Sequence, residues 1–284
     1  MMKASEFLDN LGATLKSCCK IILQSRPVKK IDKADTKGDS IVILANGPSL
    51  RQTIEAHADR LRSMPSLAVN FMANTPEFNK LKPDFYVLAD PHFFTGVEWA
   101  NVESLWQNLA ATSWPMTLCV AANRMADARR LLGNAPNITL KSLNFIGLEG
   151  FHSFERMAYS LGLGMPRPRN VLIPSIMVAI AAGYRHIYIT GADHSWLETL
   201  RVNDDNQLVS VQPHFYTDSS KELTRQEKQQ KNIHLHDILK DFYIAFNSYH
   251  RIKRYATGKG VNIYNSTPAS YIDAFERRPI PKAN

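Results

Sequence analysis

The run Ile41-Val-Ile-Leu-Ala45, broken at once by Asn46-Gly47-Pro48-Ser49, constrains the fold more than any other stretch of this chain. A short, continuous apolar run rich in β-branched residues marks a strand buried on both faces, as in parallel sheets. Gly47 permits a tight turn and Pro48 suits the first turn of a helix, so residues 51–62 read as a helix with Ile54 and Leu61 inward. Strand, glycine turn and helix start form either an ordinary βα connection or a cradle whose free N–H groups face a phosphate. The dinucleotide spacing G-x-G-x-x-G is absent.

The same pattern recurs downstream. Residues 66–70 and 84–89 read as the next strands, the first ending in Asn70 and the second running into Asp90-Pro91-His92. Ligands of open α/β sheets bind outside the carboxyl ends of the strands, so Asn46, Asn70 and Asp90 are candidates for one crevice. Helices are expected over 97–112 and 125–132, and strands over 116–120 and 138–143. The irregular stretch 145–168, with Phe151, Phe154, Tyr159, Arg156 and Arg167, suits either a lid or a long connection. Arg169 and Asn170 follow it. Pro174 and Ser175 open a helix that is apolar almost all round and ends at Gly183, which implies burial against the sheet. Strand 186–190 then ends in Gly191-Ala-Asp193-His194-Ser195, a second polar crest.

Beyond it lie a polar lid over 197–223, a long helix over 223–250, a closing strand over 261–264 and a short helix over 269–275. The fold expected is therefore a doubly wound, Rossmann-like α/β domain with a mainly parallel sheet over 40–284, preceded by an amphipathic helix and basic linker over 1–39.

A net charge of +8 favours anionic partners, yet no nucleic-acid-binding motif is present. The three cysteines Cys18, Cys19 and Cys119 form neither a disulfide framework nor a metal-ligand spacing, which fits a reducing cytoplasm. Near the N-terminus Phe7, Leu8, Leu11, Leu15, Cys18, Ile22 and Leu23 fall close to helical spacing, and Arg26-Pro-Val-Lys-Lys30 follows. Such a helix either lies on the anionic inner face of a membrane, through residues 1–30, or packs on the domain or a partner.

Two stretches carry a family resemblance. Ile43-Leu-Ala-Asn-Gly-Pro-Ser-Leu50 is similar to the nucleotide-binding motif of the bacterial sialyltransferases of glycosyltransferase family 42. Residues 177–193 look like that family's central helix–strand unit, and Tyr264-Asn-Ser-Thr-Pro-Ala269 resembles its closing strand and turn. The wider set of Asn-Gly-Pro-Ser proteins includes capsule-locus proteins and a branch similar to archaeal pterin pyrophosphokinases. The resemblance implies a metal-independent transferase with no cofactor, moving a sugar from a CMP-sugar donor to a surface glycan or glycolipid acceptor. It implies that Asn46, Gly47 and Ser49, with Pro48 in the same turn, meet the donor nucleotide and its phosphate. Asn70 would lie by the sugar or ribose, and Asn265, Ser266 and Thr267 would border the cytidine.

Two departures from the family pattern stand out. His194-Ser195-Trp196 replaces a tyrosine after the Gly-x-Asp turn, and the lid motif with two histidines reads His214-Phe-Tyr-Thr-Asp218. On the resemblance the base would be His214, Asp218 or His194, and Tyr216 or Arg169 would donate to the departing phosphate. Gly191, Asp193, Ser195, Asn170 and Ser175 complete the candidate binding residues. Two other classes stay open: a pyrophosphokinase with Mg²⁺ on Asp90 or Asp193, and a non-catalytic nucleotide-sugar-binding member of a glycan assembly complex. Homo-oligomerisation is left open.

Overall fold

The structure, a computed structural model, describes residues 3–33, 38–96, 99–210, 223–224 and 233–281. In chain order the first half runs α1 (Ala4–Gln24), β1 (Ser40–Leu44), α2 (Leu50–Ser63), β2 (Ser66–Val69), a 3₁₀ turn (Asn70–Asn74), α3 (Pro76–Leu81), β3 (Phe85–Leu88), α4 (His92–Thr95) and α5 (Ala100–Ala110). Then follow β4 (Met116–Ala121), α6 (Met125–Leu132), β5 (Ile138–Leu143), α7 (His152–Ser160), α8 (Leu172–Ala181), β6 (His186–Thr190) and α9 (Trp196–Thr199). The last part comprises β7 (Arg201–Val202), β8 (Leu208–Ser210), β9 (Leu223–Thr224), α10 (Leu235–Thr257), β10 (Asn262–Asn265) and β11 (Glu276–Arg277).

Eight strands form one sheet in the order β11-β10-β6-β1-β2-β3-β4-β5, with every pair parallel. The doubly wound α/β fold is thus present. From β1 the chain adds β2 to β5 on one side, and β6, β10 and β11 lie on the other. The direction of winding therefore reverses between β1 and β6, which is where such sheets open a ligand crevice.

Alternation along β1 divides the core. Ile41 and Ile43 join the cluster beneath α8 and α10, while Val42 and Leu44 join the cluster formed with α2, α3 and α5. Covered on both faces, β1, β2 and β3 are buried almost throughout. The apolar helix α8 is buried from Leu172 to Ile180, as its all-round hydrophobicity requires.

Three elements differ from the sequence expectation. The stretch 145–168 contains the helix α7, whose apolar face carries the buried Ala158 and Tyr159. The long helix starts at Leu235, where His234 and Asp237 form a capping box, and runs on to Thr257. Residues 269–275 form no helix. Ala269 adopts a left-handed backbone, Tyr271 N–H donates to Asp193 O and Ser270 Oγ to Ala192 O, so this segment bonds to the β6 crest. It delivers β11 to the sheet edge. No helix among the described residues is long and apolar enough to cross a membrane.

Candidate functional site

A cavity of about 490 Å³ opens at the carboxyl ends of β1, β2, β3 and β6, at the switch point. Of the residues singled out from sequence, Asn46, Gly47, Pro48, Asn70, Asp90, Arg169, Asn170, Gly191, Asp193, His194 and Ser195 line it. The strand ends do converge. Ser49, Ser175, Asn265, Ser266 and Thr267 are not in the lining. Ser175 is sealed inside α8 with its hydroxyl on Val171 O, and Ser266 Oγ donates to Arg278 O. Asn265 and Thr267 are buried braces: Asn265 Nδ2 donates to Ile272 O, and Thr267 Oγ1 accepts from Ala192 N–H. His214, Tyr216 and Asp218 lie outside the described residues.

The two crests interlock. Gly47 N–H donates to Gly191 O at 2.7 Å, and a Cβ on Gly47 would stand 1.9 Å from Asp193 Oδ2. Gly191, at φ 69°, packs so closely that a Cβ built on it would stand 2.7 Å from Ala45 O. Asp193 accepts from Ser49 Oγ at 2.9 Å and from Ser49 N–H at 3.3 Å. The helix start read as a phosphate cradle is thus occupied by the chain's own carboxylate. Burial pushes the Asp193 pKa up, partly offset by these hydrogen bonds.

Three carboxamide atoms of two lining residues lack partners. Asn46 is only 7% exposed, yet neither its Nδ2 nor its Oδ1 has a hydrogen-bond partner. Asn70, held at φ 52° with its backbone carbonyl accepting from Tyr86 Oη at 2.5 Å, leaves its Oδ1 equally unpaired. Buried polar atoms without partners cost about 1–3 kcal/mol each. Adjacent strands therefore present donors and acceptors suited to the hydroxyls or base edge of a polar ligand.

His194 is held differently. Asn170 Oδ1 accepts from the N–H groups of Leu172 and Ile173, which fixes its amide so that Nδ2 donates to Tyr249 Oη at 2.8 Å. Tyr249 Oη lies 2.6 Å from His194 Nε2, and Tyr249 is fully buried. The phenol proton then goes to Nε2, because otherwise it would be buried with no acceptor. His194 carries its own proton on Nδ1. Complete burial lowers its pKa to about 3. An imidazole so weakly basic, with its lone pair engaged, is a hydrogen-bond donor and not a general base.

Asp90 accepts from His92 Nδ1 at 2.9 Å, and that bond holds its carboxyl below the usual range despite burial. At the mouth Arg169 Nη1 pairs with Asp241 Oδ1 at 3.2 Å, both half exposed. The described lining thus carries the carboxylates of Asp90, Asp193 and Asp241 against the one guanidinium of Arg169. No three His, Cys, Asp or Glu side chains converge as metal ligands among the described residues.

Sequence reading missed the wall given by α10. Ile238, Asp241, Phe242 and Ala245 line the cavity, and Tyr249 stands behind them. Their spacing of three to four residues is one helical face, a signal present in the sequence but indistinguishable there from an ordinary core stripe. Trp196 joins this wall, its rings 5.3 Å from Phe242 and 4.2 Å from His194.

No protein family and no curated protein matches the sequence. Among solved structures the chain is similar to that of the MAf glycosyltransferase from Magnetospirillum magneticum AMB-1, with a TM-score of 0.51 and 13% identity. The match covers 100% of this chain and 40% of that one, so the chain spans well under half the length of its structural neighbour. At this identity the likeness is one of fold: an α/β fold that a glycosyltransferase also uses.

Proposed function

We propose that the chain is a glycosyltransferase that takes a sugar, sialic acid or a relative, from a CMP-activated donor and passes it to a glycan or glycolipid acceptor. The observation that carries this reading is the unpaired amide of Asn46, with the unpaired Oδ1 of Asn70, at the switch-point crevice. They offer what a nucleoside or sugar needs, and the fold likeness to a glycosyltransferase agrees with it. The charge of the lining supports a lightly charged donor. One guanidinium among three carboxylates suits a single phosphodiester better than a polyphosphate.

Transfer requires a base to remove the acceptor hydroxyl proton as its oxygen bonds to the anomeric carbon, while the bond to the phosphate oxygen breaks. His214 or Asp218 takes that proton. Arg169 or Tyr216 donates to the departing phosphate, and His194 adds a neutral donor through Nδ1. The Asn-Gly-Pro-Ser turn serves chiefly to lock the β6 crest, so Ser49 acts through Asp193.

Thermal-shift measurements with CMP, CDP, UMP, UDP, GDP, AMP and ATP, each with and without Mg²⁺, test the reading. A ligand that binds only the folded chain raises its melting temperature by mass action. Stabilisation without metal by CMP, and less by CDP, is the expected result. A response to ATP that requires Mg²⁺ would transfer the assignment to a pyrophosphokinase built on Asp90 and Asp193, and silence from all seven would leave a scaffold.

A further inference from the structure

Helix α1 is attached to the domain by the face opposite to its apolar stripe. Ser17, only 2% exposed, donates through Oγ to Glu149 O at 2.7 Å and accepts from Glu149 N–H at 2.9 Å. Thr14 Oγ1 accepts from Phe151 N–H, Lys20 Nζ donates to Gly147 O, and Ile21 packs on the core. The other side faces outward: Leu8 is 64% exposed, Leu15 60%, Ile22 81% and Leu23 80%, with Leu11 alongside and Phe7 at its edge, where its ring also meets Phe151 at 5.3 Å. Six of the fourteen large hydrophobics exposed among the described residues sit on this one helix. From Phe7 to Leu23 the stripe is roughly 24 Å long at 1.5 Å per residue. Patches of this kind mark interaction surfaces.

Charge identifies the occupant. Between Asn10 and Ile31 the chain has five cations, Lys16, Lys20, Arg26, Lys29 and Lys30, and no acid; Glu6 and Asp9 lie nearer the amino end. Lys20 is held by Gly147 O, but Lys16, Arg26, Lys29 and Lys30 are exposed. The positions Leu8, Leu11, Leu15, Cys18 and Ile22 follow a heptad over only two repeats, short of the three to four a coiled coil needs. Phe7, Cys19 and Leu23 also widen the stripe beyond a coiled-coil seam. A broad apolar face beside an acid-free basic segment matches an anionic lipid surface.

We infer that α1 and the segment 25–30 form a membrane-surface anchor that lays Leu8, Leu15, Ile22 and Leu23 into an anionic phospholipid leaflet while Ser17 holds the helix to the domain. This holds whether or not the chain is a transferase. Flotation of the purified full-length chain with vesicles of phosphatidylglycerol and phosphatidylcholine, or of phosphatidylcholine alone, tests it, with the oligomeric state measured by light scattering. The chain should float with the anionic vesicles and remain monomeric without lipid. Leu15→Glu with Ile22→Glu should weaken partition at least roughly tenfold. Its melting temperature should not change, since both side chains are exposed. Replacing Arg26, Lys29 and Lys30 by Gln should cost roughly a hundredfold. Failure to float with anionic vesicles, equal binding to neutral ones, binding undiminished by the double substitution, or a dimer that the double substitution dissolves would each overturn the inference.

Discussion

The Tyr249 hydroxyl lies 2.6 Å from His194 Nε2 and donates to it, which sets the imidazole as a neutral Nδ1–H donor at the wall of the cavity. The chain of causes begins at the backbone. N–H groups of Leu172 and Ile173, at the start of α8, orient Asn170; Asn170 orients Tyr249; and Tyr249 orients His194. A side chain that sequence spacing offers as a base is thereby turned into a donor.

Tyr249→Phe keeps the ring but removes the hydroxyl that joins Asn170 Nδ2 to His194 Nε2. The buried His194 Nε2 and the half-buried Asn170 Nδ2 lose their partner, so stability should fall by about 1–3 kcal/mol. Urea denaturation measures the loss. Nitrogen-15 NMR of His194 should lose its single Nδ1–H signature in the same variant.

His194 also gives the chain a pH-dependent stability. Its folded pKa, about 3, lies below the ordinary histidine value of 6.5. The unfolded chain therefore binds a proton below about pH 6.5 that the folded chain refuses, and stability falls as the pH falls toward 3. Between pH 6.5 and 5 the slope should approach about 1.4 kcal/mol per pH unit. His152, lowered by burial and by Arg254 and Arg251 but largely exposed, adds in the same direction. His194→Gln should remove most of the slope. A slope unchanged by that substitution would mean that His194 is not the linked group.

The same substitution at two glycines should have opposite signs. Gly47→Ala puts a methyl group 1.9 Å from Asp193 Oδ2 and 2.5 Å from Gly191 O, which is backbone and cannot turn away. Stability should drop by about 2–3 kcal/mol. In α1, a Cβ on Gly12 meets nothing within 4 Å, so Gly12→Ala should stabilise by about 0.5–1 kcal/mol. Thermal melts of the two variants beside the parent chain decide the matter.

Much of the fold was legible because its elements state themselves locally. The apolar run ending at Leu44 and the all-round apolar α8 have few alternatives to burial in a parallel sheet and beneath it. Asn46 and Asn70 could be found from the rule that ligands gather at strand ends. What was hidden depends on distant partners. Tyr249 is 55 residues from His194, and α10 reads in isolation as a surface helix with a core stripe. Ser175 offered a hydroxyl at a helix start, but that hydroxyl is spent on Val171 O. Residues 269–275 have a helical composition, yet their hydrogen bonds go to Ala192 and Asp193. The glycine turn reads equally as an ordinary βα connection or as a cradle for a phosphate, and only the distant Asp193, which takes the Ser49 N–H and hydroxyl, distinguishes them.

Calorimetric titration of CMP into the parent chain and into Asn46→Ala tests the central claim most directly. Neither polar atom of the Asn46 side chain has a partner in the free protein, so the variant should melt at the same temperature or higher. It should nevertheless bind CMP at least roughly tenfold more weakly, because on the proposed reading the Asn46 amide finds its partners in the ligand. That combination, stability kept and affinity lost, is the predicted result. No heat from CMP with the parent chain, or equal affinity in both proteins, would contradict the account.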